Sequence, residues 1–283
     1  MNWLVYHIVS GHAFFSGVAL VIVATVSSTR SRPIFKRITV LAFLIGVVAI
    51  VVSSTAIPYW YYAFAAVVTL AWIGSRYVVK WRRWSPFALA AVWFLAALIE
   101  LPNHFAPSLS PASARSITVI GDSVTAGIGG DESSETWPSL LARDHDLNVQ
   151  DISHVGETAA SALKRAAANE IHSPIIVVEI GGNDLLGSTT SADFARDLDA
   201  LLSHLAAPDR QIIMFELPLP PFCHEYGRIQ RDMAKKHHVK LVPKRLFLSI
   251  LADPDSTLDT IHLTQSGHRR MADLVWKLVQ AAF

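Results

Sequence analysis

Four short blocks in the second half of the chain carry side chains that could do chemistry together. They contain Ser123, Gly156, Asn183, and the pair Asp259 and His262. A serine hydroxyl becomes a useful nucleophile when a base removes its proton, and His262 is a base of the right type. Asp259, three residues earlier, can reach back across a single turn, hold the imidazole in one tautomer and stabilise the imidazolium. These residues indicate acyl transfer through a Ser-His-Asp triad.

The same blocks supply donors for the charge that develops during acyl transfer. The tetrahedral intermediate needs N–H groups aimed at its oxyanion. We predict an oxyanion hole made from the backbone N–H groups of Ser123 and Gly156 and the side-chain amide of Asn183. The chain has one cysteine, Cys223, which excludes an internal disulfide and a cysteine-based zinc site. We expect no cofactor and no metal.

The blocks follow a regular alternation of strand and helix patterns. The β-rich runs are 116–120, 147–152, 175–180, 211–217 and 239–242, and the helical patterns between and after them are 137–143, 158–168, 194–205, 228–237 and 266–281. Such alternation predicts an α/β domain with a parallel sheet covered on both faces. Since active sites in these sheets lie beyond the carboxyl ends of the strands, the blocks should converge there.

In this order, the residues resemble the SGNH hydrolases, also called GDSL-type esterases and lipases, whose name lists Ser, Gly, Asn and His. The resemblance covers residues 116–283 and assigns the family's site residues to Ser123, Gly156, Asn183, Asp259 and His262. It implies a flavodoxin-like three-layer α/β/α fold and a metal-free Ser-His-Asp mechanism. Two departures are present: Val124 replaces the leucine of the GDSL name, and the second block lacks the usual Asn and first Gly.

The first hundred residues have a different composition. The whole chain is 52% hydrophobic and only 17% charged, and residues 1–105 hold eight Lys/Arg but one acid, Glu100. Residues 3–26, 38–57, 59–75 and 84–99 contain no Asp, Glu, Lys or Arg. A membrane-spanning helix needs about 20 apolar residues. We predict an all-α transmembrane domain of four helices over 1–105, a linker over 106–115 and a hydrolase domain over 116–283.

The positions of the cations predict the orientation of these helices. Four cations lie between the first and second apolar runs and four between the third and fourth, whereas the connection 53–58 has none. By the positive-inside rule both basic loops are cytoplasmic. Both chain ends and the hydrolase domain then lie on the periplasmic or extracellular side of a bacterial cytoplasmic membrane. The first run lacks a basic n-region and is too long for a cleaved signal peptide.

Together, these patterns favour a membrane-anchored serine esterase acting on acyl or acetyl esters of envelope lipids or glycans. Its expected partners are the bilayer and a lipid or acylated glycan substrate. One alternative is an acyltransferase that passes the acyl group to a glycan or lipid hydroxyl. Another is a non-catalytic binding module, against which the complete triad argues. The acidic second half has no long basic stripe, so no nucleic acid partner is expected.

Overall fold

The computed structural model of the 283-residue chain describes residues 1–75, 83–127, 135–259 and 261–283. The chain divides into two compact units. The α/β unit consists of Met1–Tyr6, Phe105–Pro218 and Glu225–Phe283, and the helical unit consists of His7–His104 and Leu219–His224. Each unit therefore includes one short segment from the other half of the chain.

The N-terminal part of the chain forms apolar helices. They are α1 (Trp3–Val9), α2 (His12–Ser28), α3 (Pro33–Val52), α4 (Tyr59–Gly74) and α5 (Ser85–Glu100), the last continued by a 3₁₀ turn over Leu101–His104. By length and composition, two described helices could cross a membrane, Pro33–Val52 and Ser85–His104, or three if α1 and α2 count as one bent span. At 16 residues, α4 is shorter than the roughly 20 that a span needs. Four spans are thus not confirmed, and most of the second basic loop, 76–82, lies outside the described residues.

The first apolar run is not the continuous span that we predicted. α1 and α2 meet at a bend of 86°. Gly11 lies at the bend with a φ of 86°, in the left-handed region that residues with side chains rarely adopt. Ser54 satisfies the carbonyl groups that the break exposes, donating from its backbone N–H to Ile8 (3.1 Å) and from its hydroxyl to Val9 (2.5 Å). The uncharged connection after α3 therefore stabilises the break.

The α/β unit is built on the predicted parallel sheet. Its five strands are β1 (Ser116–Gly121), β2 (Asn148–Asp151), β3 (Ile175–Glu179), β4 (Gln211–Phe215) and β5 (Lys240–Val242). All neighbours pair in parallel, in the order β2-β1-β3-β4-β5. This is the flavodoxin-like order, with a switch point between β1 and β3.

Helices connect the strands of the α/β unit. They are α6 (Ser123–Ala126), α7 (Trp137–His145), α8 (Ala159–Ala167), α9 (Gly182–Leu186), α10 (Ser191–Leu205), α11 (His224–Lys236), α12 (Lys244–Leu251) and α13 (Gln265–Val279). Ile117, Val119 and Ile175 join a core with residues of α7, α12 and α13. Ile120 and Ile176, which follow Val119 and Ile175 and therefore point to the other face of the sheet, are buried too, so both sheet faces are covered. The short helices α6 and α9 and the longer α12 were not predicted.

The predicted linker is bonded to the α/β unit instead of running free. The Gln211 side chain exchanges two hydrogen bonds of 2.8 Å with the backbone of Ser110. The Ala112 N–H donates to the carbonyl of Ala282 at 2.9 Å. Residues 106–115 consequently belong to the α/β unit.

Candidate active site

The structure places the three predicted triad residues in one hydrogen-bonded line. Ser123 begins α6 directly after β1, and Asp259 and His262 lie in the loop before α13. The Ser123 Oγ lies 3.1 Å from the Nε2 of His262, and the Nδ1 of His262 lies 2.6 Å from the Oδ2 of Asp259. Ser123 is 7% exposed. A proton could pass from the serine to the imidazole without any movement of the backbone.

The loop that holds Asp259 also keeps it ionised. Its Oδ1 accepts the backbone N–H groups of His262 (2.9 Å) and Ile261 (3.1 Å). The bond from the His262 N–H, followed by those from its ring and from Ile261, lowers the pKa of Asp259 to about 2. The carboxylate therefore holds a proton on Nδ1 of His262 and leaves Nε2 as the acceptor for the serine proton. Thr260, within this loop, lies outside the described residues.

Two buried carboxyl groups, those of Asp122 and Glu179, lie behind the nucleophile. The sequence analysis did not identify Glu179. Asp122 caps α6 by accepting the Val124 N–H at 2.9 Å, and the Thr125 hydroxyl donates to Glu179 at 2.9 Å. Burial and then the neighbouring Asp122 charge raise the pKa of Glu179 well above its ordinary value. Burial raises the pKa of Asp122 as well, but the pKa of Glu179 is raised further, and the bonds that Asp122 accepts from the Val124 N–H and the Asn183 amide favour its charged form. Glu179 is thus the neutral partner, donating to Asp122.

Two of the three predicted oxyanion donors are available in this structure. Among the described residues, the backbone N–H groups of Ser123 and Gly156 donate to no partner. Gly156 has a φ of 76°, and a Cβ there would meet no atom within 4 Å, so the backbone conformation and not the available space favours glycine. The Asn183 amide already donates to Asp122 Oδ2 (3.2 Å) and Glu157 O (3.0 Å). One of its N–H groups must exchange its acceptor before it can bind an oxyanion.

Large apolar side chains are exposed next to the site residues. We call this set the apolar rim: Val155, Leu186, Leu258 and Ile261, which are 46%, 67%, 57% and 39% exposed. Val155 precedes Gly156, and Leu186 ends the helix that carries Asn183. Leu258 directly precedes Asp259, and Ile261 directly precedes His262. Exposed apolar side chains beside site residues are typical of a surface that binds apolar material. Within the described residues, no group of three or more His, Cys, Asp or Glu could hold a metal ion.

Comparisons with known proteins show the family to which the chain belongs. Residues 119–270 match the GDSL-like Lipase/Acylhydrolase family, and the chain belongs to that family. It is 27% identical to esterase TesA of Pseudomonas aeruginosa over 179 residues, which are 58% of this chain and 88% of that protein. It is 28% identical to thioesterase 1/protease 1/lysophospholipase L1 of Escherichia coli over 181 residues, 60% of this chain and 85% of that protein.

Solved structures show the same fold. A crystal structure of TesA superposes with a TM-score of 0.52 at 25% identity and covers 59% of this chain and 99% of its own. The psychrotrophic esterase EstA from Pseudoalteromonas superposes with a TM-score of 0.53 at 20% identity, covering 59% of this chain and 97% of its own. The chain is accordingly a GDSL-type carboxylic ester hydrolase.

Proposed function

We propose that this chain is a membrane-anchored serine esterase that hydrolyses acyl or acetyl esters of envelope lipids or glycans through Ser123, His262 and Asp259. The observation that carries the proposal is the unbroken hydrogen-bonded line from the Ser123 hydroxyl to the Asp259 carboxylate, 3.1 Å and 2.6 Å long at its two links. Such a line is what activation of a serine requires.

In the acylation half, the Ser123 Oγ bonds to the ester carbonyl carbon while its proton moves to Nε2 of His262. The carbonyl electron pair moves onto oxygen, and the N–H groups of Ser123 and Gly156 stabilise the oxyanion, joined by the Asn183 amide once it has exchanged an acceptor. When the carbonyl re-forms, the bond to the alcohol oxygen breaks and His262 gives its proton to that oxygen. The product is an acyl-serine and a free alcohol.

In the deacylation half, water replaces the alcohol. His262 takes a proton from the water as its oxygen bonds to the acyl carbon, and the same donors hold the second oxyanion. Collapse breaks the bond to Ser123 Oγ, which receives the proton from His262. Asp259 stays ionised throughout and stabilises the imidazolium in both halves.

Between the two substrate classes, the apolar rim supports a lipid acyl group. Leu186 and Leu258, each more than half exposed, offer apolar contact to an acyl chain and no hydrogen bonds to a sugar. The apolar helices support an anchored enzyme whose α/β unit faces the exterior. An anchored enzyme of this kind stays at the bilayer, so the local concentration of lipid esters at its active site is high.

Covalent labelling by a fluorophosphonate tests the nucleophile. The wild-type protein should be labelled and Ser123→Ala should not. Ser203→Ala, at an exposed serine of α10, is the matched control and should label like the wild type. Labelling that persists on Ser123→Ala would remove Ser123 from the proposed mechanism.

A panel of esters of increasing acyl length tests the substrate class on detergent-solubilised protein. We expect longer acyl esters to give the higher kcat/KM, and Leu186→Ser to lower kcat/KM for these esters about tenfold while leaving acetyl esters unchanged. A preference for acetyl esters, unaffected by Leu186→Ser, would instead favour an O-acetyl glycan. Transfer of the acyl group to an added glycan or alcohol in preference to water would identify an acyltransferase.

A further inference from the structure

A cavity of about 630 Å³ lies among the helix ends of the helical unit, and its described lining includes no residue of the hydrolase site. It is lined by Ser28 and Thr29 after α2, Lys36 on α3, Ser75 after α4, and Arg83 before α5. A smaller cavity of about 190 Å³ shares Ser28, Thr29 and Lys36 and adds Arg30. The larger volume is that of a small-molecule site, typically about 300–1,000 Å³.

The cations at this cavity have no counter-charge in the helical unit. The sequence contains no Asp or Glu before Glu100, which lies at the opposite end of α5, and none in 219–224. Among the described residues, Lys36 and Arg83 make no ion pair. The positive charge here must be balanced by a group from outside the unit.

At the cavity, the carbonyl ends of α2 and α4 accept hydrogen bonds from hydroxyl groups, whereas the N-terminus of α5 has no side-chain cap. The hydroxyls of Ser28, Thr29 and Ser75 donate to carbonyls of the last turns of α2 and α4, at 2.7, 2.8 and 2.7 Å. These bonds occupy the carbonyl groups that would repel an anion. The first turn of α5 lines the cavity, and its N-cap, Trp84, makes no side-chain cap. The hydroxyl bonds reduce the negative charge that the ends of α2 and α4 present to the cavity, whereas Lys36, Arg83 and the α5 N-terminus attract an anion.

We propose that this cavity binds the phosphate group of an anionic ligand, with Lys36 and Arg83 as its ionic partners. A phosphate group suits a cavity lined by two cations and the start of a helix without a side-chain cap. Trp72 and Phe87 add apolar walls, which suit the glycerol and acyl part of an anionic phospholipid. A free phosphate would use the ionic partners alone. The site is independent of the esterase reaction.

Binding of short-chain phosphatidylglycerol to the full-length protein in detergent, measured by native mass spectrometry, tests the proposal. Phosphatidylglycerol should bind about tenfold more tightly than phosphatidylcholine of the same chain length. Lys36→Gln and Arg83→Gln should each weaken binding about fivefold. Lys36→Arg should retain it, because the positive charge is kept.

Arg37→Gln is the matched control, since Arg37 is the neighbouring exposed cation and does not line the cavity. It should change the affinity by less than about twofold. An equal loss for Arg37→Gln and Lys36→Gln would overturn the proposal, because the effect would then be general surface charge. Equal binding of phosphatidylcholine would overturn it as well.

A competition arm separates the two sources of phosphate. If millimolar inorganic phosphate displaces phosphatidylglycerol, the cavity is a free-phosphate site; if it does not, the lipid is the ligand. Fluorophosphonate labelling of Ser123 in every variant should remain at the wild-type level, which shows that the protein is folded. It also keeps the result separate from the proposed hydrolase mechanism.

Discussion

At the scale of single residues, Asp259 receives three hydrogen bonds from groups within three residues of it: the N–H groups of Ile261 and His262 and the ring of His262. The acid is more than half exposed, with 55% of its side chain accessible. Local backbone geometry, and not burial, therefore keeps it ionised and aimed at the imidazole.

Replacing this acid tests its role in holding the tautomer. Asp259→Asn keeps an oxygen for the backbone N–H groups but presents an amide donor to Nδ1 of His262, which then moves its proton to Nε2. We expect kcat to fall about 10⁴-fold with little change in KM, measured on a soluble ester. The control is Asp253→Asn, a half-buried acid that is paired with Arg270 and also accepts a backbone N–H two residues later, from Asp255. A loss of less than about tenfold in Asp259→Asn would argue against the triad assignment.

The buried pair Asp122 and Glu179 gives a second prediction at this scale. A neutral Glu179 can donate to Asp122 while it accepts from Thr125, and glutamine can do both. Glu179→Gln should therefore keep kcat within about threefold, whereas Glu179→Ala should lower kcat at least about tenfold because Asp122 then holds Asn183 less firmly. Steady-state kinetics at neutral pH separates the two variants. If the glutamine variant were as impaired as the alanine variant, Glu179 would be the charged member of the pair.

At the scale of secondary-structure elements, His268 joins two helices of the core. This residue of α13 is 4% exposed, and its Nδ1 accepts the Trp137 N–H at the start of α7 at 3.2 Å. Burial lowers the pKa of His268 to about 4. An imidazole that accepts at Nδ1 must be neutral, so its protonation would break the contact between α7 and α13.

The stability of the α/β unit should depend on this histidine. Between about pH 4 and the ordinary histidine pKa of about 6.5, the unfolded chain binds a proton at His268 that the folded chain does not, so the free energy of unfolding rises with pH. The full effect is about 3 kcal/mol, lost as the pH falls through this window. Pulse proteolysis in urea of the detergent-solubilised protein measures it. His268→Asn keeps an acceptor and should remove most of the slope, whereas His204→Asn, at an exposed histidine of α10, should leave the slope in place.

At the scale of the whole molecule, the charge pattern predicts that the basic loop between α2 and α3 is cytoplasmic and that the α/β unit is exported. Cys223 is the sole cysteine and is partly exposed, in the segment Leu219–His224. In intact spheroplasts, a membrane-impermeant maleimide should label it before lysis.

A cysteine placed in the basic loop between α2 and α3 should be protected from the maleimide in intact spheroplasts, in contrast to Cys223. In a Cys223→Ser background, Ser31→Cys, at an exposed position between α2 and α3, should be labelled only after lysis. Labelling of Ser31→Cys before lysis together with protection of Cys223 would reverse the predicted orientation. Release of the protein by carbonate or high salt, without detergent, would contradict membrane anchoring itself.

Much of the α/β unit could be predicted from the sequence because each segment encodes what it buries. The run Ile175–Glu179 begins with four apolar β-branched residues and is buried throughout, so a short apolar run was a sufficient signal for β3. The blocks with Ser123 and Asn183 follow two such runs, and parallel pairing necessarily brings their carboxyl ends to one edge. Helix α12 was missed because it follows β5 after a single residue, Pro243, with no loop pattern between them.

Only the tertiary structure shows which distant segments pair with one another. Glu179 stands behind the nucleophile because the register of β1 with β3 sets Gly121 opposite Glu179, and no window of sequence contains both strands. Gly11 reads as part of an uninterrupted apolar run until Ser54, 43 positions away, is found bonded to the carbonyl of Val9. The periodicity and composition of a segment indicate which of its side chains are buried in the fold. Register, helix breaks and buried polar pairs depend on which partner supplies the missing hydrogen bonds, and that partner is selected only when the chain packs.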